Sequence, residues 1–121
     1  MEETLFGLYL ILADRIGAVH FENFGYTQGC ISYFGYYKIN IEHDFRHGIL
    51  GVYLMKIGKR ENFERKLFFI DINLNSSSIR VASRERNYSI TGDTDDVKER
   101  FEGEFERILK DFNLKPERIY N

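Results

Sequence analysis

The sequence predicts an α+β fold. It reads as a two-layer sandwich, an antiparallel meander of five to six strands flanked by an N-terminal and a C-terminal helix. Three observations lead there. Apolar residues recur at helical spacing at both ends of the chain. The stretch between them alternates with period two, and the breaks in that alternation are short and rich in Gly, Asn and Ser. At 121 residues the chain fits a single α+β domain over 1–121. A chain of that length buries about two thirds of the surface that its unfolded form exposes.

The first element is EETLFGLYLILADRIG. Leu5, Leu8, Tyr9, Leu12 and Ile16 form its stripe, Thr4 is placed to cap its start, and Gly17 can end it at positive φ. Phe6, Leu10 and Ile11 fall off the stripe. The helix is therefore apolar nearly all round, which points to burial on two sides or to a subunit contact.

AVHFENF is a short alternating strand, and FGYTQG has turn chemistry. CISYFGYYKINIEH then reads as one long strand, with Gly35 in its middle marking a bulge or a close backbone approach. Ile31, Tyr33, Tyr37, Ile39 and Ile41 share one face; Ser32, Phe34, Tyr36, Lys38, Asn40 and Glu42 share the other. ILGVYLMKI is apolar on both faces, as in a central strand, and GKRENFERK is the polar connection after it. LFFIDINL sets Phe68, Ile70, Ile72 and Leu74 inward with Asp71 and Asn73 outward. NSSS turns the chain. IRVAS and NYSIT form a last hairpin around RERN, or one bent strand.

The final helix, DTDDVKERFEGEFERILKDF, is capped by Asp93 or Thr94, with Asp95 and Asp96 in the turn that the helix dipole favours for negative charge. Val97, Phe101, Phe105, Ile108, Leu109 and Phe112 make its apolar stripe. Glu106 and Lys110 are spaced as an i,i+4 pair. Gly103 interrupts the helix off the stripe, and Pro116 keeps the helix from resuming.

The net charge of −2 is unevenly spread: −3 over 1–55, +4 over 56–90 and −3 over 91–121. The single cysteine, Cys30, excludes an internal disulfide and a multi-cysteine zinc site, and reads as a small buried hydrophobe. The longest apolar run, Leu5 to Ala13, has nine residues, against the ~20 that span a bilayer. With acidic residues before it, the run is no secretory signal, and a cytoplasmic protein is the expectation. No GxSxG, Walker-type loop or GxGxxG occurs.

The segment INIEHDFRHGIL holds the nearest thing to a chemical motif. His43, Asp44 and His47 are the weak metal candidates. On one strand the two rings would lie ~13 Å apart, and only a hairpin through DFR brings them opposite each other. A two-histidine set still needs a further ligand, so the cluster reads as polar hairpin residues, with no metal, cofactor or catalytic residue assigned.

The basic segments KIGKRENFERK and IRVASRER place Lys59, Arg60, Arg65, Arg80, Arg84 and Arg86 near strand ends. With Tyr36, Phe34 and Tyr88 they could serve an RNA-binding sheet, although no RNP pattern is present. The span Phe21 to Tyr37 is dense in Phe and Tyr on both faces of its strands, which points to a partner surface or self-association as a dimer.

The expected function is a non-enzymatic protein-binding module. Its partner surface is Phe34, Tyr36, Lys38, Arg80 and Arg84. The size, the acidic balance and the helix–strands–helix order are loosely similar to those of the immunity proteins that neutralise secreted bacterial toxins. No motif carries that likeness, and no residue role is taken from it. A small-ligand or enzymatic domain using an aromatic cavity with His43, Asp44 and His47 is the alternative reading, and the RNA-binding sheet the third.

Overall fold

The computed structural model of the protein describes residues 2–18, 20–58 and 64–114. Helix α1 (Glu2–Arg15) is followed by strands β1 (His20–Phe24), β2 (Thr27–Phe34), β3 (Tyr37–Asp44), β4 (Ile49–Ile57), β5 (Glu64–Asn73), β6 (Ser78–Ser83) and β7 (Asn87–Thr91), and then by helix α2 (Thr94–Asp111). The seven strands make one antiparallel sheet in chain order, so each pairs with its neighbours in sequence. The α+β meander read from the alternation is present, with seven strands.

The additional strand comes from a tight turn inside CISYFGYYKINIEH. Phe34 pairs with Tyr37 across a two-residue loop, Gly35–Tyr36, and Phe24 pairs with Thr27 across Gly25–Tyr26 in the same way. Both glycines have positive φ, 65° for Gly25 and 61° for Gly35. A two-residue hairpin loop asks for that conformation at its first position, where glycine adopts it without a Cβ clash. Gly35 is therefore a turn residue and not a bulge. The turn also inverts the expected facing of β2: Cys30, Ser32 and Phe34 share a face with Tyr37, Ile39 and Ile41.

That face is covered by the helices. Leu50, Val52 and Leu54 of β4, Phe68, Ile70 and Ile72 of β5, and Ile79 and Val81 of β6 form the buried floor. α1 packs over β3 and β4, and α2 over β5 and β6. The stripe Leu5, Leu8, Tyr9, Leu12 and Ile16 is buried, as are Val97, Phe101, Phe105, Ile108 and Leu109. Phe6, Leu10 and Ile11 remain exposed. β4 lies at the centre of the sheet, as its two-sided apolar sequence requires.

Both helices stop by the same device. Gly17 (φ 63°) follows α1, with Ala18 N–H donating to Ala13 O and Gly17 N–H to Asp14 O, each at 3.0 Å. Asn113 (φ 52°) follows α2, with Leu114 N–H donating to Leu109 O at 2.8 Å. These left-handed residues satisfy carbonyls that the helix ends leave open. Three expectations at the helices are corrected. α1 starts at Glu2, so Thr4 lies inside it, because acidic residues continue the helix outward. Asp93 is the N-cap of α2 but makes no side-chain cap bond. Glu106 is held not by Lys110 but by Arg15 of α1, both carboxylate oxygens accepting from the guanidinium at 3.0 Å. A Cβ on Gly103 would meet nothing within 4 Å among the described residues. Pro116, Lys59 and Arg60 lie outside the described residues. Among the described residues no helix is long and apolar enough to cross a membrane.

Candidate functional site

The meander sends successive turns to alternate ends of the sheet. One end carries the loop Gly25–Tyr26, the turn Phe45–Gly48 and the turn Leu74–Ser77. The HDFRH cluster sits here and divides in two. Asp44 and His47 are turn chemistry: Asp44 Oδ1 accepts the N–H groups of Arg46 and His47 at 3.1 Å, and its Oδ2 lies 2.8 Å from His47 Nδ1. The His47 hydrogen bond, with its backbone and charge contributions, holds the Asp44 carboxyl below the usual range.

His43 is not a polar turn residue. It stands one residue before the end of β3 on the helix-covered face, 4 % exposed, among the rings of Phe6, Tyr9 and Phe45 at centroid distances of 6.3, 6.0 and 5.8 Å. Its position two residues beyond Ile41 fixes that facing. Burial pushes its pKa below the ordinary value, the charge of Asp44 opposing, and Nδ1 has no hydrogen-bond partner among the described residues. Among the described residues no three His, Cys, Asp or Glu side chains gather as a metal site. Cys30 is buried beside Tyr9, and desolvation raises its thiol to about 11.

The other end of the sheet carries Gly35–Tyr36, the end of β4, the start of β5 and the turn of residues 84–86. Here an open cleft of about 1400 Å³ wraps the ends of β5 and β6 and reaches the last turn of α2. Seven cations line it, Lys56, Arg65, Lys66, Arg80, Arg84, Arg86 and Arg107, against two acids, Glu85 and Asp111. Tyr37, Tyr53, Phe68, Phe69 and Phe112 supply its apolar walls.

Some of these cations are already engaged. Arg86 donates to Glu104 at 2.6 Å, and Glu104 is 6 % exposed. Arg107 lies 3.8 Å from Asp111, and Arg80 lies 3.4 Å from Asp71 and over the Phe69 ring. Asp71 is raised by its burial on the sheet, with Arg80 pulling the other way. Lys56, Arg65 and Arg84 have no ion-pair partner among the described residues. Lys56 and Arg65 stand opposite each other across β4 and β5.

A bulge arranges part of this wall. Register shifts between Leu54 and Met55, so that Leu54 faces Phe68 but Met55 faces Lys66, leaving Leu67 extra. The additional residue moves Lys66 to the uncovered face, where its Nζ lies 4.9 Å from the Tyr53 ring centroid. Tyr53 and Phe69 pack on each other there at 4.9 Å.

The residues expected as one partner surface are thus distributed. Arg80 and Arg84 line the cleft. Tyr36 is exposed in the turn at the same end. Lys38 lies on the uncovered face but is only 8 % exposed. Phe34 packs partly against the core on the helix side, because the Gly35 turn inverts β2. The expected surface left out Lys56, Arg65, Lys66, Arg86 and Arg107. The repeated Phe-Gly-Tyr, at residues 24–26 and 34–36, was the available signal for two successive hairpins. Comparisons with protein-family models, with curated proteins and with solved structures return no match.

Proposed function

We propose that the protein is a non-enzymatic protein-binding module whose cationic cleft receives an acidic segment of a partner protein. The pairing of Lys56 with Arg65 carries this reading. Like charges directly opposite each other destabilise a sheet. A carboxylate set between them would exchange that repulsion for charge-assisted hydrogen bonds. The apolar walls would hold the aliphatic and aromatic residues that flank such carboxylates.

In the narrower form of this reading the partner is a secreted bacterial toxin and the chain its immunity-type inhibitor. The charge favours a toxin that presents an acidic surface, since the cationic groove of a nuclease would be repelled by this cleft. The RNA reading is weaker on geometry. Base stacking needs free ring faces, whereas Tyr53 and Phe69 pack on each other beneath Lys66 and Arg80. The enzymatic reading draws no support from this cleft, whose walls include none of His43, Asp44 and His47.

Fluorescence polarisation on the full chain tests the proposal. The probes are a short labelled peptide rich in Asp and Glu, its Lys-rich counterpart and a single-stranded RNA of equal length. The acidic peptide should bind, and more weakly as salt rises. Lys56→Glu with Arg65→Glu should weaken it about tenfold, equivalent to ~1.4 kcal/mol. Preference for the RNA would transfer the cleft to nucleic acid, and indifference to the double reversal would remove the cleft from the binding surface.

A further inference from the structure

The edge strand β1 is another surface, independent of the cleft. Its residues are exposed throughout, and its sequence, HFENF, carries no Lys or Pro to discourage pairing. β7, at the opposite edge, shows polar Asn87, Ser89 and Thr91 while Tyr88 and Ile90 turn to the core. Phe21 of β1 is 58 % exposed on the helix side of the sheet, opposite Cys30 in register. Arg15 reaches α2, so at 100° per residue Phe6 and Leu10 occupy the other flank of α1, toward β1. Phe21, Phe6 and Leu10 thus border one uncovered strip along this edge.

We propose that a second copy of the chain covers this strip, by antiparallel pairing of β1 with β1 about a two-fold axis at Phe21. The main chain selects the candidates. The two-residue loop makes Phe24 and Thr27 a hydrogen-bonded pair, and alternation then aims the N–H and C=O groups of Phe21 and Asn23 away from β2. A two-fold pairing can be centred on Phe21, Glu22 or Asn23. Centring on Glu22 sets that carboxylate against its own copy. Centring on Asn23 sets Glu22 against Phe24. Centring on Phe21 sets Phe21 against Phe21 and His20 against Glu22, twice, on the uncovered face. The last register alone joins apolar to apolar and base to acid. The His20–Glu22 positions fall at non-hydrogen-bonded sites, where side chains approach most closely. The contact is isologous, so it closes at two copies and does not propagate. It joins two seven-stranded sheets into one, with both helix layers on the same side.

Sedimentation velocity on the full chain, from micromolar to submillimolar concentration, tests this. The wild type should sediment as a dimer at the upper end. Glu22→Lys should raise the dissociation constant roughly tenfold or more, because two cationic side chains then oppose two His20 rings. His20→Glu combined with Glu22→Lys exchanges the partners and should restore the dimer. Phe21→Pro removes an N–H that the chain's own ladder does not use, and should give a folded monomer, with circular dichroism confirming the fold. Should that variant fail to fold, the charge exchange decides alone. A wild type that stays monomeric throughout overturns the proposal. So does a dimer that Glu22→Lys leaves unchanged or that the exchange fails to restore.

Discussion

At the end of the sheet that carries Asp44, the polar groups of the turns are satisfied from within. Asp44 serves two N–H groups, Asn73 Oδ1 serves those of Asn75 and Ser76, and Asn75 Nδ2 donates to His47 O at 3.0 Å, tying two turns together. At the opposite end Lys56 faces Arg65, and neither they nor Arg84, which lines the same cleft, has an ion-pair partner among the described residues. The Asp44 end resembles chemistry in the sequence and is turn structure. The cleft end resembles ordinary solvated charge and is left with interactions to make. What separates them is whether the side chains already have partners, because a group held by its own fold has less to offer a ligand.

The largest effect tests the core that both ends share. Phe105 is 1 % exposed, and Phe105→Ala should lower stability by about 3–5 kcal/mol in urea denaturation. Both ends should melt together; a normal midpoint would show that α2 does not hold the sheet. Arg86 tests the comparison within the cleft itself, since it belongs to the satisfied class. Arg86→Ala removes the ion-pair partner of the buried Glu104 carboxylate, leaving it Tyr88, and should cost about 3 kcal/mol in the same denaturation.

His43 comes next. Its pKa is depressed when folded, so below about 6.5 the unfolded chain takes up a proton that the folded chain refuses. Stability should therefore be full above that value and fall as pH drops through it toward the folded pKa. Melting temperatures across this range should show the slope, and His43→Phe should flatten it. The same replacement removes a buried unpaired nitrogen, worth about 1–3 kcal/mol if the larger ring fits. A pH slope that survives in His43→Phe would place its origin elsewhere.

Asp44→Ala should cost about 1 kcal/mol, on the scale of a lost side-chain cap, and leave acidic-peptide affinity untouched. A drop in affinity without a drop in stability would add Asp44 to the proposed binding surface. The smallest expected change in stability is at Arg84→Ala, within about 0.5 kcal/mol by thermal melt. A larger loss would show that Arg84, too, is already engaged by the fold.

Much of this fold is written in local pattern. The α2 stripe and the alternation of LFFIDINL are both present in the structure, because period and burial are properties of neighbouring residues. The facing of β2 is not local in that sense. A two-residue loop and a continued strand both place apolar residues around Gly35, yet they assign Phe34 to opposite faces. His43 was legible through Ile39 and Ile41, and was obscured by the polar company of Asp44 and His47. The cleft was the least accessible. Its cations come from β4, β5, β6 and α2, and only the meander brings those strand ends together; a bulge at Leu67, which no spacing announces, aims Lys66.

The Arg15–Glu106 fork bears on how the chain reaches this structure. Its two residues are 91 positions apart, whereas every strand pairs with its neighbour in sequence. Hairpins closed by short loops can form early, and low contact order favours rapid folding. Docking α1 beside α2 requires most of the intervening chain to be ordered first. Residues that join the helices should therefore have φ-values near zero in folding kinetics, while those at the centre of the sheet have higher ones. An exposed ion pair is worth no more than about 1 kcal/mol, so Arg15→Ala should hasten unfolding several-fold and leave the folding rate unchanged. The fork acts as a late latch, felt as the lifetime of the folded state more than as the speed of reaching it.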